Sequence, residues 1–397
     1  MTSAPSHFFH ATCDAGLESV LEAELLAINA EILTQTKRGI TFKGPWELMW
    51  ASNLQCRTAN RILLQLARFR ARDRDALYSA VHKLPWGDFM TADQTLAADT
   101  RTFESRLRQP QYVNQVVKDA ICDRFRLETR KRPSVDRHNP DIPISVHLAN
   151  NLCTISLDSS GERLHRRGYR IATGLAPIRE TVAAGLLALA EWSGESSLLD
   201  PMCGSGTIAI EAALKARRIA PGLLRLGENR PGFAFARWPS HTEAEFETFV
   251  DTLKAQQLPS SPVAIRASDR DRRVLKKALH NAERAGVQDD IKFTCKDIAD
   301  VYAADAQGTV ITNPPYGMRL GDRDEVEELY QTLGNTLKHH FHGHTAWVVV
   351  GDKVLGGKVG LRPSRRFPIR NGSLDCKFFR FDLYAGSKKA KKQTLED

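Results

Sequence analysis

From about residue 180 onward, apolar strand-like runs alternate with helical runs in single file, and few architectures accept that order. A helix over Glu180–Trp192 precedes a strand at Ser197–Asp200, and a helix over Thr207–Arg218 follows. A strand at Val263–Asp269 leads into a helix over Arg272–Ala285, closed by Gly286 at the position that favours a left-handed residue. Strands at Ile291–Asp297 and Thr309–Thr312, a helix over Val326–His340, a strand at Thr345–Gly351 and an alternating run at Phe378–Tyr384 complete the series. Strands separated by helices pair in parallel, because each crossover must return to the same edge of the sheet. The expected fold class is therefore α/β, a doubly wound Rossmann-like sheet with its ligand beyond the carboxyl ends of the strands.

Ser197–Thr207, SLLDPMCGSGT, reads as strand, tight glycine loop and helix start. Gly204 and Gly206 permit positive φ and close backbone approach to a ligand, and the free N–H groups of the next helix favour an acceptor. Position 209 is Ala, so the loop is not the dinucleotide fingerprint, and no Gly-Lys-Ser/Thr makes it a P-loop. Three acids stand at successive strand ends: Asp200 before the loop, Asp269 in ASDRD, and Asp297 in CKD. Singly, each reads as a turn or cap residue. Together they suit a nucleoside, with Asp269 accepting from ribose hydroxyls and Asp297 from an adenine amino group. The first two strand ends are 69 residues apart, so about 221–262 is an insertion. Its RPGFAFARWP stretch is expected to place aromatics and arginines near the site, or else to form a packed cover.

After the apolar TVIT strand comes Asn313-Pro-Pro-Tyr-Gly317. Two prolines remove two backbone donors and stiffen the turn. A ring amino group is a poor nucleophile because its lone pair is delocalised. Two fixed acceptors, the Asn313 side-chain oxygen and the Pro314 carbonyl, would orient it toward a methyl donor and stabilise the developing charge. Tyr316 offers a flat face for a base.

The half before residue 160 mixes short elements and reads as α+β. Helical stretches fall at Leu17–Asn29, Pro45–Asn53, Asp73–Leu84 and Tyr112–Leu127, and strand-like ones at Gly39–Phe42, Arg61–Phe69, Thr95–Thr100, Ile144–Leu148 and Leu152–Leu157. Net charge is +9, which favours a polyanionic partner without establishing one. Between Arg124 and His138 six cations (Arg124, Arg126, Arg130, Lys131, Arg132, Arg137) face two acids, and the connector adds Arg163, Arg166, Arg167 and Arg170. Such clusters hold phosphates without reading sequence. Seven cysteines without a CxxC pair support neither a disulfide framework nor a zinc site. HHFHGH at 339–344 ends a helix without partner carboxylates, so no metal is expected. No signal peptide or 18-residue apolar run is present, which points to the cytoplasm.

The motifs DPMCGSGT, SDRD and NPPYG resemble those of class I S-adenosylmethionine-dependent amino-methyltransferases. SLDSSGERLHRRGYR, APIRE, DPMCGSGTIAIEAA and RPGFAFARW together resemble the bacterial THUMP-domain RNA guanine-N2 methyltransferases, most of all those acting on large-subunit rRNA. The resemblance spans essentially the whole chain. It implies a ferredoxin-like module over 1–66, a THUMP RNA-binding module over 67–158, a linker over 159–179, a methyltransferase domain over 180–386 and a disordered basic tail over 387–397. It implies S-adenosylmethionine as cofactor, held at its methionine part by Asp200, Cys203, Gly204 and Gly206, at its ribose by Asp269 and at its adenine by Asp297. Pro177, Arg179 and Glu180 would flank it, and Asn313, Pro314 and Tyr316 would hold the base. The implied product is N2-methylguanosine in 23S rRNA, made by a monomer. tRNA as substrate, adenine-N6 methylation and an inactive RNA-binding assembly factor are the alternatives.

Overall fold

The computed structural model describes residues 6–170, 178–316, 323–372 and 374–386. The described chain divides into two compact units. One takes in the described parts of Met1–Cys13, Leu21–Leu164 and Arg225–Thr252, the other those of Asp14–Val20, His165–Leu224 and Leu253–Asp397.

The first unit is built on β1 (His7–Cys13), α1 (Glu18–Ala27), β2 (Glu31–Thr36), β3 (Gly39–Gly44), α2 (Glu47–Gln55), β4 (Ala59–Arg70), α3 (Arg74–His82), β5 (Thr95–Phe103), α4 (Pro110–Thr129), β6 (Ser134–Val135), β7 (Ile142–Ala149) and β8 (Leu152–Asp158). Its strands form a single eight-stranded sheet in the order β2-β3-β1-β4-β8-β7-β5-β6. The long strand β4 pairs antiparallel with β1 on one side and β8 on the other, so two modules read from sequence share one continuous sheet. Three strands, β1, β2 and β6, are absent from the sequence reading. In β2, EILTQT is exposed along nearly its whole length, so no apolar period marks it.

The second unit contains α5 (Glu180–Leu189), β9 (Leu198–Asp200), α6 (Thr207–Ala216), the end of α7 (Glu243–Ala255), β10 (Ile265–Asp269), α8 (Arg272–Arg284), β11 (Ile291–Cys295), β12 (Thr309–Thr312), α9 (Arg323–His340), β13 (Thr345–Val350), α10 (Lys353–Lys358), β14 (Arg365–Asn371) and β15 (Leu374–Asp382). The sheet order is β11-β10-β9-β12-β13-β15-β14, parallel from β11 to β13 and antiparallel at β15 and β14. Successive residues of the middle strands enter different cores. Ile311, Trp347 and Val349 pack in one; Val310, Ala346, Val348 and Val350 pack in the other. Burial on both faces explains why TVIT and TAWVVV are unbroken apolar runs. β14 has no signal in the sequence reading, because RRFPIRN carries three arginines and a proline. No helix among the described residues is long and apolar enough to cross a membrane.

The insertion corrects one expectation. Residues Arg225–Thr252 belong to the first unit, not to the sheet that interrupts itself to admit them. Trp238 packs edge-on against Trp46 and Phe89, at 6.3 and 5.9 Å, and Phe246 against Trp50 at 5.7 Å. Arg225 is fully buried and donates to the carbonyl oxygens of Ser160, Glu162, Arg163 and Gly232, with its guanidinium 5.0 Å from the Phe233 ring centre. Phe233, Phe235 and Trp238 of RPGFAFARWP are thus buried packing groups of the first unit, while Arg237 is exposed and pairs with Asp141 at 3.4 Å.

Candidate active site

β9 is the switch point of the second sheet, with β10 and then β11 on one side and β12 on the other. Crossovers leave in opposite directions there, so the loops beyond the strand tips part and open a crevice. The tips present, in order, Asp297 just past β11, Asp269 at β10, Asp200 and the glycine loop at β9, and Asn313 just past β12.

The loop is held from below by its neighbours. Cys203 N–H donates to the Ser268 carbonyl at 2.9 Å, and Ser268 Oγ to the Pro201 carbonyl at 3.3 Å. Gly204 N–H donates to Asp269 Oδ2 at 3.0 Å, while Asp269 Oδ1 accepts from Asp271 N–H at 3.0 Å. Each carboxylate oxygen keeps a second lone pair for a ligand hydroxyl. Asn281 of α8 donates to the Ser205 carbonyl at 3.1 Å. Gly204 and Gly206 have φ of 53° and 81°. An added Cβ on Gly206 would lie 3.0 Å from Ala278 Cβ, so this glycine lets α6 and α8 approach. A Cβ on Gly204 would meet nothing within 4 Å. That open side is a cradle into which a ligand can lie against bare backbone.

Asp200 is 1% exposed and accepts from Met202 N–H at 3.4 Å. Burial pushes its carboxyl up to about 7, and the Thr312 hydroxyl beside it draws it partly back. Cys203 is buried, and burial raises its thiol well above the ordinary value, which keeps it an inert packing group. Asp297 Oδ1 caps a short 3-10 turn, accepting from Ala299 N–H at 3.1 Å.

Across the switch point, the Asn313 side-chain oxygen is sealed from solvent and has no hydrogen-bond partner among the described residues. Such an acceptor costs about 1–3 kcal/mol unless something donates to it. Tyr316 is half-buried; its hydroxyl accepts from Asn371 Nδ2 at 2.9 Å, and its ring lies against Gly351, where an added Cβ would fall 2.6 Å from Cδ2. Burial raises the Tyr316 phenol, so it stays protonated. Neither Gly351, read there only as a strand end, nor Asn371 is a candidate site residue in the sequence reading. A glycine ending the apolar run TAWVVVG was the only signal.

Pro177 lies outside the described residues. Arg179 is engaged by Asp14 at 3.3 Å. Glu180, 3% exposed, pairs with Arg170 at 3.1 Å, and Arg170 also donates to Thr207 Oγ1 at 2.9 Å, at the start of α6. Arg167 requires correction as a phosphate contact. It is 1% exposed and faces Glu211 at 3.7 Å, beside Tyr169, whose hydroxyl donates to Glu211 at 3.2 Å. A side chain sealed in that buried ionic cluster has no surface to offer RNA. Arg166 is exposed. At the end of α4, Arg126, Arg130, Lys131 and Arg132 are exposed, with Arg126 paired to Asp123 and Lys131 to Asp93. Arg124 is half-buried and paired to Glu128.

A glycine loop and acidic strand tips facing an Asn-Pro-Pro-Tyr turn across the switch point define a class I methyltransferase domain. The chain belongs to the family described as RMKL-like, methyltransferase domain, which matches residues 167–380. A THUMP domain matches residues 71–158, and an RlmL ferredoxin-like domain matches 9–63. A putative RNA methyltransferase of Synechocystis sp. is 37% identical over 96% of this chain and 98% of its own length. The ribosomal RNA large subunit methyltransferase K/L of Syntrophotalea carbinolica is 39% identical over 96% of this chain, which spans only 54% of that relative. Among solved structures, SMU.472, a putative methyltransferase complexed with SAH, aligns with a TM-score of 0.86 at 28% identity, covering 98% of this chain and all of that one.

Proposed function

We propose that this chain transfers a methyl group from S-adenosylmethionine to the exocyclic N2 of a guanosine in RNA, with 23S rRNA as the substrate. The observation that carries the reading is the sealed oxygen of Asn313, without a hydrogen-bond partner among the described residues and one strand away from the open side of Gly204. Those two features fit a planar amine donor on one side and a nucleoside cofactor on the other.

S-adenosylmethionine would supply a methyl group on a positively charged sulfur. The chain does the rest. Asp269 and Asp297 would accept from ribose and adenine, and the glycine loop with Asp200 and Cys203 beneath it would shape the methionine end. Asn313 Oδ1 and the Pro314 carbonyl would take the two N–H bonds of the guanine amine, aim its lone pair and offset the charge that grows on nitrogen. Tyr316 would bear on the base, its tilt set by Asn371 and Gly351. Arg179 and Glu180 act by position, holding the start of α5 through Asp14 and Arg170. Phosphates would meet Arg126, Arg130, Lys131, Arg132 and Arg166. A monomer working in the cytoplasm suits this chemistry, which needs no metal.

The test is methyl transfer from labelled cofactor to total RNA of a strain lacking the protein, followed by digestion to nucleosides and mass spectrometry. N2-methylguanosine at one 23S position is expected. Label in N6-methyladenosine, in tRNA alone, or in no RNA would overturn the proposal.

A further inference from the structure

Helix α8 carries positive charge where the helix itself gains nothing from it. Its 13 residues, RRVLKKALHNAER, hold five Lys or Arg against one acid, Glu283. Four of those cations, Arg272, Arg273, Lys276 and Lys277, stand in the first two turns and are exposed. The helix dipole already puts partial positive charge at that end, so cations there are disfavoured. Arg272 and Lys276 are spaced i,i+4, as are Arg273 and Lys277, and like charges at that spacing repel. Asp271 caps the helix and offsets Arg273 at 3.4 Å. Arg272, Lys276 and Lys277 form no ion pair among the described residues. Packing does not require them either, because the helix is anchored by its other face, through Leu275, Ala278, Asn281 and Ala282.

The position of the helix gives that charge a use. α8 leaves the tip of β10 directly after Asp269, at the rim of the crevice. β10 lies two places from β12 through β9, about 10 Å across the sheet, so the start of α8 is near the tip that carries Asn313. Two more exposed cations stand on the same rim, Arg270 after β10 and Lys296 after β11. At the far end, about 20 Å along the helix axis, Arg284 donates to the Gly168 carbonyl at 3.0 Å, two residues from the exposed Arg166. Positive charge therefore runs from the crevice rim down α8 to Arg166. An RNA whose target base enters the crevice must carry the neighbouring phosphates across that rim, and cations hold phosphates whatever the sequence.

We infer that the exposed face of α8 binds the RNA backbone beside the target nucleotide, with phosphates on Arg272, Lys276 and Lys277 and the strand leading toward Arg166. The inference rests on RNA being the substrate, and it adds a docking face on the methyltransferase unit itself. An anionic backbone there offsets the repulsion that the free helix bears, which a purely structural helix would have no reason to keep.

The test uses the full chain and a fluorescein-labelled RNA hairpin, read by anisotropy across a salt series. Replacing Arg272, Lys276 and Lys277 together by Gln should weaken binding about tenfold or more and reduce the log–log salt slope by about 2–3, at about 0.7–0.9 per lost phosphate contact. The same triple should raise the melting temperature by about 1–2 °C, because like charges leave the helix, and keep S-adenosylhomocysteine affinity within about twofold. The charge-keeping triple Arg272→Lys, Lys276→Arg and Lys277→Arg should bind RNA within about threefold of the parent. A control triple, Lys338, Arg362 and Arg366 to Gln, removes equal charge from the same unit and should cost less than about threefold. RNA binding within about twofold of the parent in the α8 Gln triple, or an equal loss in the charge-keeping or control triple, overturns the inference. So does a melting temperature lowered by several degrees together with cofactor affinity. Methyl transfer to total RNA from a strain lacking the protein is measured in parallel, where the α8 Gln triple should raise KM for RNA about tenfold with kcat little changed. An active parent whose Gln triple keeps the parental KM refutes the α8 face alone; a parent that transfers nothing to RNA refutes the methylation reading instead.

Discussion

Replacing Asn313 by Ala should make the protein slower and sturdier at once. Its side-chain oxygen is buried with no partner among the described residues, and an acceptor in that state costs about 1–3 kcal/mol. Truncation removes that cost and loses a few packing contacts, leaving a net gain of about 1 kcal/mol. For a unit of this size, that gain raises the melting temperature by about 2–4 °C. Turnover moves the other way. On the proposed function, one of two fixed acceptors on the reacting amine disappears, and losing one preorganised group of this kind costs about 10²–10³ in kcat, or about 2.7–4 kcal/mol. Affinity for S-adenosylhomocysteine, which on the proposed function does not use this oxygen, should change less than about twofold. Asn313→Asp keeps an acceptor in place and should retain more turnover than the Ala variant. Single-turnover methyl transfer, calorimetric titration and thermal melting give the three readings. Turnover within about threefold of the parent, or a melting temperature lowered by several degrees, would refute the reasoning: the oxygen would then be either dispensable or structurally satisfied.

Asp200 makes stability depend on pH in an unusual direction. Its folded carboxyl titrates at about 7 and its unfolded carboxyl near 3.8, so folding holds a proton that the unfolded chain releases. The cost is absent below about pH 4, grows between pH 4 and 7, and is full above that. Asp200→Asn should therefore gain melting temperature over the parent at pH 8 and gain almost none at pH 4, and equal differences at both would refute it. Gly204→Ala places a methyl group in the open cradle at a φ of 53°; it should cost about 1–2 kcal/mol of stability and weaken S-adenosylhomocysteine binding more than tenfold by calorimetry. Gly351→Ala forces the Tyr316 ring to move, since the new Cβ would fall 2.6 Å from it, and should lower kcat with little change in cofactor affinity. Arg225→Ala leaves four carbonyl oxygens without their donor, so it should destabilise by about 3 kcal/mol or more in denaturant titration.

Much of the second unit was legible because its information is local. An unbroken apolar run such as TVIT states burial on both faces, a glycine loop between strand and helix states a backbone approach, and a double proline states a stiff turn. The helices α1 to α4 also declared themselves, by spacing alone. What the sequence could not state were choices between equally polar or equally aromatic fates. Arg166 and Arg167 are neighbours of one chemistry, yet one is exposed and the other sealed against Glu211. RPGFAFARWP reads as well for a site cover as for a core, and only the packing of its Trp238 on Trp46 and Phe89 assigns it to the first unit. The edge strand β2 exposes almost every residue, so its pairing with β3 leaves no period to read. By itself the sequence determined the fold class, the strand tips and the residue types that meet there, since period and turn chemistry are written in adjacent residues. Tertiary structure alone decided which charges are buried and which oxygen has no donor among the described residues, because each depends on partners distant in the chain.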